Sequence, residues 1–151
     1  MVIAASMAIL AGCGSGSSTG GLEAEATYVI DLTTSEVVPA PKPSTATGAA
    51  AFIVYPDRIQ YQIAAQLIPG VTSVHIHTGA PGVTGASVIT LFQTNVPIAP
   101  IGAFATGTML ESNLPAGITL ASMKTLLASG NAYVDIHTTA NTGGELRGQI
   151  K

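Results

Sequence analysis

Apolar and polar residues alternate along much of the chain, which is the pattern of β-strands with one buried face. Residues 26–32 and 58–67 alternate most regularly. Pro56-Asp57 and Pro69-Gly70 indicate tight turns, and three prolines between residues 36 and 47 predict a loop there. In the second run, the predicted inward face consists of Ile59, Tyr61, Ile63, Ala65 and Leu67. Further strands are predicted at residues 48–54, 71–77, 87–92, 106–110, 132–137 and 145–150.

One segment departs from this alternation and has helical spacing. Leu120, Met123 and Leu127 recur at intervals of three and four residues, Thr119 can cap the first turn and Gly130 can end the last. The pattern predicts a helix over residues 119–129. Regularly spaced strands with a single helix predict an all-β fold, namely a Greek-key antiparallel β-sandwich, immunoglobulin-like or superoxide-dismutase-like, with one short helix.

The composition narrows the class of protein. A chain of 151 residues has room for one domain, and with 47% hydrophobic but only 5% aromatic residues its core must consist mainly of Ala, Val, Ile and Leu. The formal net charge is −3, and the five Lys and Arg form no basic cluster that would neutralise phosphates. We therefore expect no nucleic-acid partner.

The N-terminus predicts a lipid anchor. The only cysteine, Cys13, follows Leu10-Ala11-Gly12 and an apolar stretch, as in the cleavage pattern of bacterial lipoprotein signal peptides. We therefore predict a signal peptide at residues 1–12, a lipidated Cys13 with a Gly/Ser tether at residues 13–21, and a domain at residues 22–151. With one cysteine, neither an intrachain disulfide nor a cysteine-rich zinc site can form.

The signal segment departs from the usual pattern because Met1 to Leu10 contains no Lys or Arg, which suggests that the true start lies upstream. The alternative is that residues 2–10 form a buried strand or helix of a protein with a free thiol. If the segment is a lipoprotein signal, the protein is anchored to the cell envelope. Gly14 after the cysteine then favours the outer membrane in a Gram-negative cell.

All three histidines lie in two similar segments, Val74-His75-Ile76-His77 and Val134-Asp135-Ile136-His137. Because side chains alternate across a strand, the histidines and Asp135 lie opposite the apolar residues, and two imidazoles at positions i and i+2 have Cβ atoms roughly 6 to 7 Å apart. If the two strands are neighbours, His75, His77 and His137 form a metal site with Asp135 as fourth ligand or orienting group. Imidazole ligands favour copper, with zinc as second choice.

The alternative role for these histidines is structural: neutral rings would hold the adjacent turns through hydrogen bonds to Thr78, Thr138, Asp135 or backbone carbonyls. The final strand adds Glu145, Arg147 and Gln149 on one face. There the first two residues are expected to form an ion pair or to anchor the preceding turn. The sequence contains no catalytic motif, so enzymatic activity is left open but is not the favoured interpretation.

Two blocks of sequence closely resemble those of the CHRD (chordin) domain: VTSVHIHTGAPGVTGASVITLF and LLASGNAYVDIHTTANTGGELRGQI. With a weaker match upstream, the resemblance covers residues 22–151. It implies an exported domain, since the family is named after repeats in an extracellular morphogen antagonist and occurs in bacterial secreted proteins. The chain is more distantly similar to copper-zinc superoxide dismutase, but three histidines are too few for a two-metal site, so dismutase activity is a minor alternative.

Together these observations predict a membrane-anchored, extracytoplasmic lipoprotein that binds a metal ion, copper being favoured, through three histidines. The alternative is a noncatalytic adhesion or protein-binding module with structural histidines and an extracellular or periplasmic protein partner. The lipid membrane is the expected partner of acylated Cys13 in either case.

Overall fold

Two antiparallel sheets of four strands each enclose the core of the protein in a computed structural model that describes residues 22–151. The predicted signal peptide, Cys13 and tether lie outside the described residues. The strands are β1 (Ala26–Leu32), β2 (Thr47–Val54), β3 (Ile59–Gln66), β4 (Val71–Thr78), β5 (Ser87–Ile98), β6 (Gly102–Met109), β7 (Ala132–Thr138) and β8 (Leu146–Ile150), with the helix α1 (Leu120–Ala128) between β6 and β7.

The strand order is β1-β2-β3-β6 in the first sheet and β5-β4-β7-β8 in the second. After β4 and β5 have paired in the second sheet, β6 returns to the first sheet and pairs with β3, which is a Greek-key type of return. The predicted all-β sandwich with one short helix is confirmed. Within residues 22–151, no helix is both long and apolar enough to cross a membrane.

The core lies between the inner faces of the two sheets and is built from small and branched apolar side chains. Ile63 of the first sheet and Ile76 of the second are fully buried, as their alternation predicts. The helix α1 contributes Leu120, Met123 and Leu127 to the same cluster, and the Thr119 side chain accepts the amide hydrogen of Ser122, which caps the first turn.

The prediction for Leu67 was wrong. The alternation places it on the inner face of β3, but its side chain is 66% exposed and its φ is +56°. The strand has ended at Gln66, and the chain turns so that the next residue, Ile68, enters the core. The apolar–polar alternation in the sequence therefore extends one residue beyond the end of the strand.

The outer face of the second sheet is more buried than a half-exposed sheet would be, because loops cover it. Every residue of β8 is buried, including Arg147 and Gln149. Loop residues 79–83 accept hydrogen bonds from these two side chains. On the other side, Ser44 donates a hydrogen bond to Glu145. The histidine-bearing strands therefore lie beside a polar, loop-covered layer.

The expected ion pair between Glu145 and Arg147 does not occur among the described residues. The Glu145 carboxylate instead accepts hydrogen bonds from the Ser44 and Thr138 hydroxyls, each at 2.6 Å. These bonds, with burial opposing them, lower the pKa of Glu145 below its ordinary value. Of the two roles expected for this residue, the anchoring of the turn before β8 is the one found.

Candidate metal centre

The strands β4 and β7 are neighbours in the second sheet, and their register brings the predicted ligands to one place. His75 pairs with Asp135, His77 with Tyr133 and His137 with Ser73. The histidines and Asp135 project from the face opposite the core. His75, His77, Asp135 and His137 each offer one ligand atom, and these four atoms all lie within 4.8 Å of one another.

The carboxylate oxygen Oδ1 of Asp135 approaches all three rings. It lies 3.0 Å from Nε2 of His137, 3.2 Å from Nε2 of His77 and 3.8 Å from Nδ1 of His75. In a tetrahedral site with bonds of 2.0–2.1 Å, neighbouring ligand atoms are separated by roughly 3.3 Å. The spacing around Asp135 is therefore close to that of ligands arranged around a transition-metal ion.

The same four atoms are buried and lack hydrogen-bond partners within residues 22–151. They are Nδ1 of His75, Nε2 of His77, Nε2 of His137 and Oδ1 of Asp135. Although the contacts between them are short, their geometry is not that of hydrogen bonds. Buried polar groups are rarely left without a partner because of the desolvation cost. A cation bound between them would satisfy all four atoms, so the residues fit a metal ion.

Backbone carbonyls determine which ring nitrogen faces the cluster. Nδ1 of His77 lies 2.9 Å from the Gly85 carbonyl oxygen, and Nδ1 of His137 lies 2.8 Å from that of Thr142. Because a carbonyl only accepts, each Nδ1 carries the hydrogen and donates it. In the neutral ring, Nε2 then has a free lone pair directed at the cluster.

These bonds also fulfil the structural role considered for the histidines. The rings of His77 and His137 hold the loops that follow β4 and β7, although through carbonyls and not through Thr78 or Thr138. Each ring holds a loop with one nitrogen and presents the other to the cluster. The structural role and metal binding are therefore compatible in the same side chains.

His75 differs from the other two histidines in the nitrogen that it presents and in its surroundings. Its candidate ligand atom is Nδ1, and within the described residues its ring makes no hydrogen bond. It is held by edge contacts with the rings of His137 and His77, whose centroids lie 4.9 and 5.7 Å away. We conclude that its orientation depends on packing.

Burial and charge shift the pKa values of the cluster in different directions. Burial, reinforced by the neighbouring His137, lowers the pKa of His75. Burial alone would also lower the pKa of His77 and His137, but the Asp135 carboxylate outweighs it and raises both. Burial opposes ionisation of Asp135, yet its contacts with His137 and His77 lower its pKa. A metal ion at the cluster would therefore compete with protons for His77 and His137.

Sequence reasoning missed the residues that orient the rings. The loop that holds His77 depends on Gly85, where an added Cβ would lie 1.6 Å from the Thr78 carbonyl oxygen, so only glycine fits. Tyr133, on the same face of β7 as Asp135, stacks on the His77 ring. The glycine-rich stretch after His77 could have indicated a close approach of the backbone, but no sequence pattern showed what the loop would cover.

Comparison with known proteins agrees with this architecture. The family model of the CHRD domain matches residues 28–150, which include all eight strands except the first two residues of β1, and all four residues of the cluster. No curated protein and no solved structure matched the chain.

Proposed function

The chain belongs to the CHRD domain family, and we propose that its domain binds a transition-metal ion, copper in preference to zinc, through His75, His77, His137 and Asp135. The observation that carries this proposal is the convergence of four buried ligand atoms that have no hydrogen-bond partner in the part of the chain that the structure describes. Three imidazole nitrogens suit both Cu(II) and Zn(II), and copper has the higher affinity for nitrogen ligands. The Asp135 carboxylate would partly neutralise the positive charge that the cation brings to the site.

Stoichiometric metal binding that requires the histidines is the expected result of a direct test. The purified protein is exposed to excess Cu(II) or Zn(II), freed of unbound metal and subjected to elemental analysis, which should give about one ion per chain. The triple change of His75, His77 and His137 to Ala should remove this ion. Asp57→Asn, at an exposed carboxylate paired with Arg58, is the control and should retain it.

The two negative outcomes of this test have different meanings. Stoichiometric copper binding by the triple variant would place the site elsewhere in the chain. Failure of the unaltered protein to bind copper or zinc would favour the second candidate function, a noncatalytic adhesion or protein-binding module whose histidines are structural. The hydrogen bonds from His77 and His137 to loop carbonyls support that alternative, and it requires a protein partner outside the cytoplasm.

We further propose that the domain is held at the cell envelope by an acylated Cys13, at the outer membrane if the cell is Gram-negative. The Leu10-Ala11-Gly12-Cys13 sequence and the Gly/Ser run after it support this proposal. One acyl chain gives only marginal membrane binding, so stable anchoring requires the several chains that bacterial lipoproteins carry.

Replacing Cys13 with Ser is expected to abolish acylation and release the protein from the membrane fraction, because serine lacks the thiol that receives the lipid. Immunoblots of membrane and soluble fractions, with metabolic labelling by a fatty acid, measure both effects. Ser15→Ala, in the same tether, is the control and should remain membrane-bound. Retention of the Cys13→Ser protein in the membrane would contradict the lipid anchor.

A further inference from the structure

Arg147 is a buried cation whose side chain is held by backbone carbonyls and a tyrosine ring, although Asp135 lies opposite it on the neighbouring strand β7. Its residue is 2% exposed, and no carboxylate of the described residues forms a salt bridge with it. Its Nη2 instead donates to the carbonyl oxygens of Ala80 at 3.2 Å and Val83 at 2.9 Å and to Oε1 of Gln149 at 3.4 Å, and its Nε has no hydrogen-bond partner among the described residues. Burying an unpaired charge is costly, so this arrangement needs an explanation beyond packing.

The guanidinium group begins a stack of planar groups that leads to a metal ligand. Its central carbon lies 3.5 Å from the ring centroid of Tyr133. The Tyr133 ring in turn is stacked on the ring of His77, with centroids 4.9 Å apart and an interplanar angle of 9°. The strand order β4-β7-β8 places Tyr133 between the other two residues. The plane of the imidazole is thereby held parallel to that of the phenol.

The same guanidinium group also holds the loop that orients this imidazole. Ala80 and Val83, which accept its hydrogen bonds, belong to the loop between β4 and β5, as does Gly85. The Gly85 carbonyl accepts the Nδ1 hydrogen of His77, and the Gly85 amide donates to the Tyr133 hydroxyl at 3.2 Å. The stack sets the ring plane and the loop sets the tautomer, and Arg147 contacts both.

We propose that Arg147 is a positioning residue of the metal centre: it holds Tyr133 and the loop of residues 79–85 so that Nε2 of His77 faces the ion. The proposal rests on the proposed function, because a ligand needs positioning only if metal binds, but the orientation of His77 can be measured without metal. His137 provides an internal reference, since a different loop orients it through the Thr142 carbonyl. Loss of Arg147 should therefore affect the two rings unequally.

The test compares Arg147→Met with the unaltered protein by long-range ¹H–¹⁵N NMR of the metal-free form at a pH where the rings are neutral. In the unaltered protein, the hydrogen should lie on Nδ1 in both His77 and His137. In the variant, His77 should become a mixture of tautomers while His137 remains unchanged. Affinity for Cu(II) should fall about 10- to 100-fold, the usual effect of removing a group that orients a ligand.

Arg58→Met is the matched control, because the Arg58 guanidinium also lies over a tyrosine, Tyr55, at 4.2 Å, but in the hairpin between β2 and β3 of the other sheet. It should change neither the tautomers nor the affinity. If Arg147→Met does not fold, Tyr133→Phe takes its place. Tyr133→Phe keeps the stacked ring and removes only the hydroxyl that holds Gly85, so it should produce a smaller effect at His77 alone.

An unchanged His77 tautomer in whichever of the two variants is folded would overturn the proposal. Equal disturbance of His77 and His137 would also overturn it, because that result would indicate a general loosening of the sheet. If the unaltered protein binds no metal, the proposed function fails, but the NMR comparison still decides whether Arg147 positions His77.

Discussion

Metal affinity is expected to decrease steeply with falling pH, and the decrease should begin above the ordinary histidine value of ~6.5. The Asp135 carboxylate, acting against burial, raises the pKa of His77 and His137, so both rings hold protons at higher pH than free histidine does. A metal ion must displace these protons. Below both raised values, each proton reduces affinity about tenfold per pH unit, so the two rings together give a change of about 100-fold per unit.

The contribution of these two rings to the stability of the metal-free protein should show the opposite dependence on pH. A histidine whose pKa is raised by folding contributes stability that is fully present below its unfolded value of ~6.5 and is lost as the pH rises through its folded value. His77 and His137 therefore stabilise the metal-free fold most where they bind metal least. The stabilisation conferred by metal, measured as the difference between thermal unfolding with and without Cu(II), should be largest at alkaline pH.

Asp135→Asn tests the cause of this pH dependence, because the amide has nearly the same shape without the charge. The pKa values of His77 and His137 should then fall, and the pH at which metal affinity declines should move downward. Affinity at alkaline pH should also be lower, since one ligand oxygen has lost its charge. Competition with a chelator across about pH 5 to 9 measures both effects. Asp57→Asn should reproduce the unaltered profile, whereas an affinity independent of pH would contradict imidazole ligation.

The parts of the fold that could be predicted from sequence are those in which burial alternates. In the strand β3, inward apolar residues alternate with outward residues that are glutamines except for Ala64, and the bounds of the strand were predicted within one or two residues. The strand β5 extends to Ile98, well beyond the predicted end at residue 92. Its second half is largely exposed, so no face is selected for apolar residues and the alternation disappears. Edge strands of this kind leave little pattern in the sequence.

The candidate site could be predicted as far as strand geometry determines it. Alternation placed His75, His77, Asp135 and His137 on equivalent faces, and only the assumption that the two strands are neighbours remained to be confirmed. What could not be predicted was the covering of that face by loops. The burial of Arg147 depends on its hydrogen bonds to Ala80 and Val83, which lie 67 and 64 positions away in the sequence. No local sequence pattern specifies such contacts.

Replacing Ile76 with Ala is expected to reduce the free energy of unfolding by about 2–5 kcal/mol, because it leaves a cavity in a tightly packed interior. Ile76 is fully buried and lies between His75 and His77 in sequence, but its side chain projects from the opposite face of β4. Chemical denaturation of the metal-free protein measures the loss. Gln60→Ala, at an exposed position of β3, is the control and should change stability by no more than about 0.5 kcal/mol.

The same variant separates the core from the metal centre. An ion that binds only the folded state at a free concentration of 1,000 times its Kd adds about 4 kcal/mol to stability. Because the sheet lies between Ile76 and the ligand atoms, Cu(II) at that excess should add nearly the same increment to Ile76→Ala as to the unaltered protein. A Gln60→Ala loss as large as that of Ile76→Ala would contradict the assignment of inner and outer faces. A folded Ile76→Ala protein to which Cu(II) adds no stability would instead show that the geometry of the ligands depends on the packing beneath them. The two faces of β4 would then not act independently.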